Sequence, residues 1–384
     1  MKKRKYEKVI EVKLKTNGSE RVLKGPEGVK FSVSNIRYVP SDISLLLTNL
    51  PKFKGQITFP QPGNNPLVPA CVAAYNPDST VYVHEMDSHD YCAMVDSLGE
   101  NNNIEFALGS DLQESEGGQM AIFKIALDSD RLLCFDILER LNKILPDGSP
   151  VMVLLNKKRQ KDFIKKLMKD FGKGQVIARN REAIIFQGVT DKKKDCWSPR
   201  TNTVLVDAIG AEISMDTRPG VFSHGRVDSG GLALYETLEL AKEESILELG
   251  CGAGLVGLLA VSRLQEKQEE YTGRMLLVDS FSRAIDCATS NVEKTGLKNI
   301  ECLLSDNFET DEKFDVVAGN PPYYANHRIA EYFIETAATV LKKGGRFYLV
   351  SKHGDVMEEL ASEMGFEVKT VHRRKYDVLI ATKK

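Results

Sequence analysis

The sequence predicts an α/β protein made of two tandem doubly wound domains, the first a degenerate copy of the second. Three observations carry this. Short apolar, strand-like runs alternate with helical stretches through the C-terminal half, which is the pattern of a mostly parallel sheet covered by helices. A glycine-rich turn, ILELGCGAGLVG, sits at the first strand–helix junction of that half. Four blocks of the C-terminal half recur, in the same order, in the N-terminal half. A chain of 384 residues is also long enough for two domains.

The C-terminal elements follow in order. Residues 245–249 read as a short apolar strand and 254–264 as a helix. Residues 274–278 read as a second strand and 282–295 as a second helix. Further strands are expected at 300–304, 314–318 and 345–350, with a helix over 329–341 between the last two. Residues 366–370 and 376–381 read as a closing pair of strands, turning through Arg373 and Arg374, and an antiparallel edge on a parallel sheet is common.

In the N-terminal half, residues 63–73 line up with 250–260, 80–88 with 274–280, 104–112 with 300–308 and 144–155 with 340–350. The copies differ where chemistry would sit. The first copy lacks the later glycines of the turn and carries Pro66 and Pro69 instead. A polar stretch from Asp191 to Arg200 separates the halves. Domains are therefore expected at 1–190 and 204–384, with 191–203 as linker. Trp197 in that linker reads as packing between domains, with stacking on RNA as the alternative.

Composition bounds the rest. With 42% hydrophobic and 28% charged residues, the chain affords an ordinary core. A net charge of -2 argues against coating nucleic acid through a global field, although Lys2, Lys3, Arg4 and Lys5 form a basic start. Seven cysteines without a Cys-x-x-Cys spacing fit reduced thiols rather than a disulfide framework or a zinc site. No apolar run of 18 residues exists, and the basic start lacks a signal peptide's apolar stretch. A cytoplasmic protein, free of membrane and metal and monomeric, is expected.

The turn gives the first chemistry. Gly250, Gly252 and Gly254, with Cys251 among them, let the backbone pass close to a ligand, and the following helix start offers amide donors. The spacing is not that of dinucleotide folds, so the ligand need not carry phosphate; a methionine carboxylate suits the donors. Glu248 would accept from its ammonium group. Asp279, followed by Ser280, ends the second strand, where an acid can accept both ribose hydroxyls of an adenosine. Asp306, followed by Asn307, ends the third and would accept from the adenine amino group. Taken singly, each acid is more often a turn or cap residue.

The fourth strand runs into Asn320-Pro321-Pro322-Tyr323. Two prolines fix the backbone and remove its donors. An amino group on an aromatic ring or an amide is a poor nucleophile because its lone pair is delocalised. The Asn320 side-chain oxygen and the Pro321 carbonyl would accept its two hydrogens and aim the lone pair at an electrophilic methyl. Tyr323 would stack on a planar substrate.

These residues resemble class I methyltransferases that modify exocyclic or amide nitrogen. The lead-in PGVFSHGRVDSGGLALYETL, residues 219–238, is similar to that of bacterial ribosomal RNA guanine-N2 methyltransferases, of both the small-subunit (16S) and large-subunit (23S) types. The closing RRKYDVLIA is similar to their last strand. The resemblance implies two Rossmann-like domains, S-adenosyl-L-methionine as cofactor and ribosomal RNA or a ribosomal subunit as partner. It further implies N2-methylation of a guanine, with Phe222, Asp228 and Gly230 walling the cofactor site. Tyr323 stands where that family often has Phe, which leaves adenine-N6 and protein-glutamine (release factor) methylation open. A non-catalytic RNA-binding or assembly factor is the remaining alternative. His224, His327, His84 and His89 have no metal-like spacing. Arg373, Arg374 and Lys375 read equally as phosphate contacts or a solvated turn.

Overall fold

Continuous apolar runs and period-2 alternation sort the strands into two seven-stranded sheets, one in each of two units, Met1–Pro199 and Arg200–Lys384. The structure, a computed structural model, describes residues 8–15, 18–63, 65–99, 101–114, 118–195, 197–268, 270–322 and 327–384.

In the first unit, β1 (Val9–Val12), β2 (Ser19–Lys24) and β3 (Lys30–Ile36) form a small sheet in the order β1-β3-β2, followed by α1 (Ser41–Leu47). The large sheet takes β4 (Gln56–Pro60), β5 (Thr80–Glu85), β6 (Ile104–Leu108), β7 (Gly118–Ile125), β8 (Pro150–Asn156), β9 (Gly172–Arg179) and β10 (Ala183–Val189). Helices α2 (Leu67–Tyr75), α3 (Ser88–Leu98), α4 (Arg131–Ile144) and α5 (Gln160–Asp170) connect them.

The second unit opens with a hairpin, β11 (Asn202–Ala208) and β12 (Ala211–Thr217), turning at Gly210 with φ +75°. Then come α6 (Ser229–Thr237), β13 (Ile246–Leu249), α7 (Leu255–Glu266), β14 (Met275–Asp279), α8 (Ser282–Thr295) and β15 (Ile300–Leu304). They are followed by β16 (Phe314–Gly319), α9 (Arg328–Val340), β17 (Leu341–Ser351), α10 (Gly354–Glu363), β18 (Phe366–Arg373) and β19 (Tyr376–Lys383).

The two large sheets have the same topology. Their orders are β6-β5-β4-β7-β8-β10-β9 and β15-β14-β13-β16-β17-β19-β18. In both, the first five strands are parallel, and β10 and β19 run antiparallel to both neighbours. This matches the expected repeat and the doubly wound fold class.

Alternation along the strands of the second sheet splits its core in two. Ile246, Met275, Leu277, Val316 and Ala318 pack with residues of α6, α7 and α8. Leu247, Leu249, Leu276, Val278 and Val317 pack with residues of α9 and α10. Both faces are covered, so the central strands read as unbroken apolar runs. Each such buried side chain contributes roughly 1.5–3 kcal/mol.

Differences from the sequence reading have local causes. α7 begins at Leu255 because Gly254 takes φ +88° as its cap. The final hairpin turns through Arg374 and Lys375, φ 48° and 77°, while Arg373 pairs with Tyr376. A two-residue turn with both φ positive matches strand twist, so the turn is one residue later than expected. The β11–β12 hairpin and the small first sheet were not expected. Within 191–203, Asp191 exchanges hydrogen bonds with the Asn142 side chain at 2.9 and 3.1 Å, and Trp197 lies beneath Arg140 at 4.4 Å. Asn202 and Thr203 belong to β11.

Candidate active site

Strand order fixes where a ligand can sit. β13 pairs with β14 on one side and β16 on the other, and the order of the sheet reverses there. Sheets of this kind bind ligands outside the carboxyl ends of the strands at that switch point. Leu249 pairs with Gly319, so the glycine turn and Asn320 leave the sheet side by side. One ring backs both exits. A Cβ on Gly250 would meet Phe333 Cζ at 3.1 Å, and a Cβ on Gly319 would meet its Cδ2 at 2.6 Å. A side chain at Gly319 would force that ring aside, and Gly250 is held to glycine by its φ of +65°.

The turn is tied down by two acids. Gly252, at φ +57°, donates its amide to Asp279 Oδ2 at 2.8 Å, and Phe281 donates to Oδ1 at 2.9 Å. Cys251 N donates to the Val278 carbonyl and Gly254 N to the Cys251 carbonyl. Glu248 is buried and accepts the Gly257 amide at 2.8 Å, from the first turn of α7. Burial pushes its carboxyl up to about 8, against the lowering effect of that amide. This corrects the expectation that the helix-start amides stand free for a ligand. Glu248 takes the Gly257 amide of α7, and Asp279 takes the Gly252 amide within the turn. No atom lies within 4 Å of the Cβ position of Gly252, so the turn keeps an open side there.

A cleft of about 600 Å³, open solvent at its mouth included, faces this turn. Its wall holds Glu248, Gly250, Cys251, Gly252, Phe222, Asp228 and Asn320, so seven residues singled out from sequence meet in one place. Phe222 is 63% exposed. Gly254, Asp279, Ser280, Asp306 and Asn307 are not on that wall. Asp279, half-buried, holds the turn through the Gly252 amide. Ser305 donates to the Asp279 carbonyl, which puts half-buried Asp306 at the same sheet edge, and Asn307 is exposed and donates to Glu309. Pro321 is buried and Pro322 half-buried. Tyr323 lies outside the described residues.

The sequence reading missed the wall formed by the hairpin. Val204, Val206, Met215 and Thr217 line the cleft. The signal was there in the alternation of NTVLVDA and AEISMDT. His224 contacts Asn202 and Thr217 at 3.2 Å, and the rings of His327 and His353 meet edge-on at 5.3 Å. Arg374 pairs with Glu236 at 2.7 Å. Among the described residues, no group of three His, Cys, Asp or Glu is placed to hold a metal. No helix among them is long and apolar enough to cross a membrane.

The first unit keeps one part of this device. Gly63, at φ +66°, donates its amide to Glu85 Oε1 at 3.0 Å. Glu85 ends β5 as Asp279 ends β14. Alignment by sequence sets Asp87 opposite Asp279, whereas Asp87 in fact caps α3. Glu85 is buried, and burial together with the nearby Asp90 pushes its carboxyl up to about 9.

Known proteins place the chain. The methyltransferase small domain family matches residues 212–380. An uncharacterized Bacillus subtilis protein, YbxB, is 30% identical over 199 residues, covering 50% of this chain and 92% of that protein. The ribosomal RNA small subunit methyltransferase C of Pectobacterium atrosepticum is 22% identical over 285 residues, 71% of this chain and 76% of that one. The solved T. thermophilus 16S rRNA N2 G1207 methyltransferase, in complex with AdoMet and guanosine, superposes with TM-score 0.73 at 21% identity. The match covers 95% of this chain and 98% of that one. The doubly wound sheet, its glycine turn and its Asn-Pro-Pro loop define an S-adenosylmethionine-dependent methyltransferase of class I. Its second unit carries the methyltransferase small domain, and over 71% of its length the chain is similar to a ribosomal RNA small subunit methyltransferase C.

Proposed function

We propose that the second unit methylates the exocyclic N2 amino group of a guanine in ribosomal RNA, presented as free RNA or in a ribosomal subunit. One observation carries this reading: Leu249 pairs with Gly319, which sets an Asn-Pro-Pro acceptor loop directly beside the glycine turn. The site fits S-adenosylmethionine. Its turn has an open face at Gly252, an aromatic wall at Phe222 and a buried acid at Glu248. When bound, that cofactor supplies an electrophilic methyl group on a sulfonium.

The protein's part is positioning and electrostatics. The Asn320 side-chain oxygen and the Pro321 carbonyl accept the two amino hydrogens. Nitrogen then pyramidalises, and its lone pair turns toward the methyl carbon. Methyl transfer would leave a surplus proton on nitrogen, which would pass to solvent. Asp279 and Asp306 serve the ribose and the adenine edge. Tyr323 stacks on the base. The first unit, without the Asn-Pro-Pro loop, handles RNA substrate, and the protein works as a cytoplasmic monomer.

The test is mass analysis of nucleosides after incubating the protein with labelled S-adenosylmethionine and ribosomal RNA or subunits. N2-methylguanosine is expected, and Asn320→Ala should cut it to a trace. Label in N6-methyladenosine or in methylglutamine of a release factor would replace this reading with one of its rivals. Full activity in Asn320→Ala would remove the catalytic role.

A further inference from the structure

The Asn320 amide has two edges, and only its oxygen edge can receive an amino hydrogen. Rotation by half a turn about χ2 would present the NH2 edge instead and repel the substrate. Something must choose between them. Asn320 Nδ2 donates to Asp228 Oδ2 at 2.8 Å. The same oxygen accepts the Gly231 amide at 2.5 Å, as Asp228 caps the start of α6. An ionised carboxylate has acceptors only, so the amide edge that faces it must be NH2. The orientation of Asn320 is thus dictated by chemistry rather than by packing. The Asn320 oxygen is left on the side of Gly230, where a Cβ would stand 3.4 Å from it and 3.4 Å from the Tyr376 ring. The missing side chain keeps that oxygen accessible.

We propose that Asp228 is a positioning residue for the transfer step. It holds the Asn320 amide with its oxygen toward the acceptor amino group, and it is itself held rigid by the first turn of α6. This departs from the expectation that Asp228 merely walls the cofactor, and it rests on the reading that Asn320 accepts an amino hydrogen. Asp228→Ser separates the roles. It keeps a capping oxygen for Gly231, since Ser caps helices as well as Asp does. It loses the dictation, because a hydroxyl that accepts from Gly231 can still donate to the Asn320 oxygen or accept from its NH2.

The experiment measures single-turnover methyl transfer to RNA, S-adenosylhomocysteine affinity by calorimetry, and thermal midpoint, for Asp228→Ser, Asn320→Ala and the double variant. Asp228→Ser should lower the transfer rate about 10- to 100-fold, the scale of a misplaced reacting group. Affinity and midpoint should stay near the wild-type values. Against the residual rate of Asn320→Ala, Asp228→Ser should cost little more. Multiplicative losses, or a loss confined to cofactor affinity, would overturn the proposal. If the wild type methylates no guanine, the reading of substrate fails by itself. The Asn320 side-chain amide proton signals then still test the proposal: a protected NH2 in the wild type that becomes exchangeable in Asp228→Ser supports it, and an unchanged signal rejects it.

Discussion

Asn291 and Asp216 pair like residues of adjacent strands, although one is a helical side chain and the other a hairpin backbone. The Asn291 Oδ1 accepts the Asp216 amide at 2.7 Å, and its Nδ2 donates to the Asp216 carbonyl at 3.0 Å. Nδ2 donates also to the Ala253 carbonyl at 3.0 Å, inside the glycine turn. One fully buried amide from α8 thereby fastens both β12 and the turn.

Asn291→Asp tests this most sharply. A carboxylate cannot donate, so the buried Ala253 carbonyl and the half-buried Asp216 carbonyl lose their partner and a charge is buried beside them. A loss of about 3–5 kcal/mol is expected, as when one partner of a buried charged pair is removed. Urea denaturation of the variant gives the number. A loss under 1 kcal/mol would show that the turn does not depend on this residue.

Gly319→Ala should damage catalysis from behind. Its Cβ would stand 2.6 Å from Phe333 Cδ2, and overpacking of that kind costs roughly 1–3 kcal/mol. Asn320 is the next residue and must shift with it. The expected outcome is a kcat lowered by about tenfold, restored in part by Phe333→Leu, which makes room. No restoration would locate the fault elsewhere.

Asp279 and Glu85 hold equivalent turns, yet only one should matter for the cofactor. Asp279→Ala releases the Gly252 and Phe281 amides. S-adenosylhomocysteine affinity should fall about 10- to 100-fold, the worth of hydrogen bonds to a charged group. Glu85→Gln should leave that affinity unchanged. Calorimetry on both variants decides, and equal effects would assign a cofactor role to the first unit.

Glu248 should impose a pH dependence on stability. Burial raises its folded value to about 8, above the ordinary 4.5. The stability linked to its bound proton is complete below the unfolded value and is lost as pH rises through the folded one. Between these limits the loss is up to about 1.4 kcal/mol per pH unit. Glu248→Gln should erase that share, so its advantage over the wild type grows from pH 5 to pH 8 in denaturation experiments. A constant difference would mean that Glu248 is already ionised in the folded protein.

The central strands, the glycine turn and the Asn-Pro-Pro loop were legible because each is a local pattern. Apolar run, positive φ and fixed proline backbone all act within a few residues. Asp228 could be picked out, but its partner could not, because Asn320 lies 92 positions away and only the fold joins them. The Glu85–Gly63 bond was hidden for another reason. The eye matches Asp to Asp, whereas the sheet matches strand ends, and Glu85 occupies that end. Asn291 carried no signal at all, since a buried amide in a helix looks like any surface one in sequence.

The placement of β19 has a consequence for how the protein is born. This strand lies between β17 and β18, although it is synthesised after both. While the nascent chain is still short of residue 376, β17 has an open edge and β18 has nothing to pair with. Tyr376, the first residue of β19, is also the ring that flanks Gly230 beside the Asn320 oxygen. The methyl-transfer cleft is therefore among the last parts of the second unit to be assembled on the ribosome, whereas the first unit can finish folding while that work is still under way.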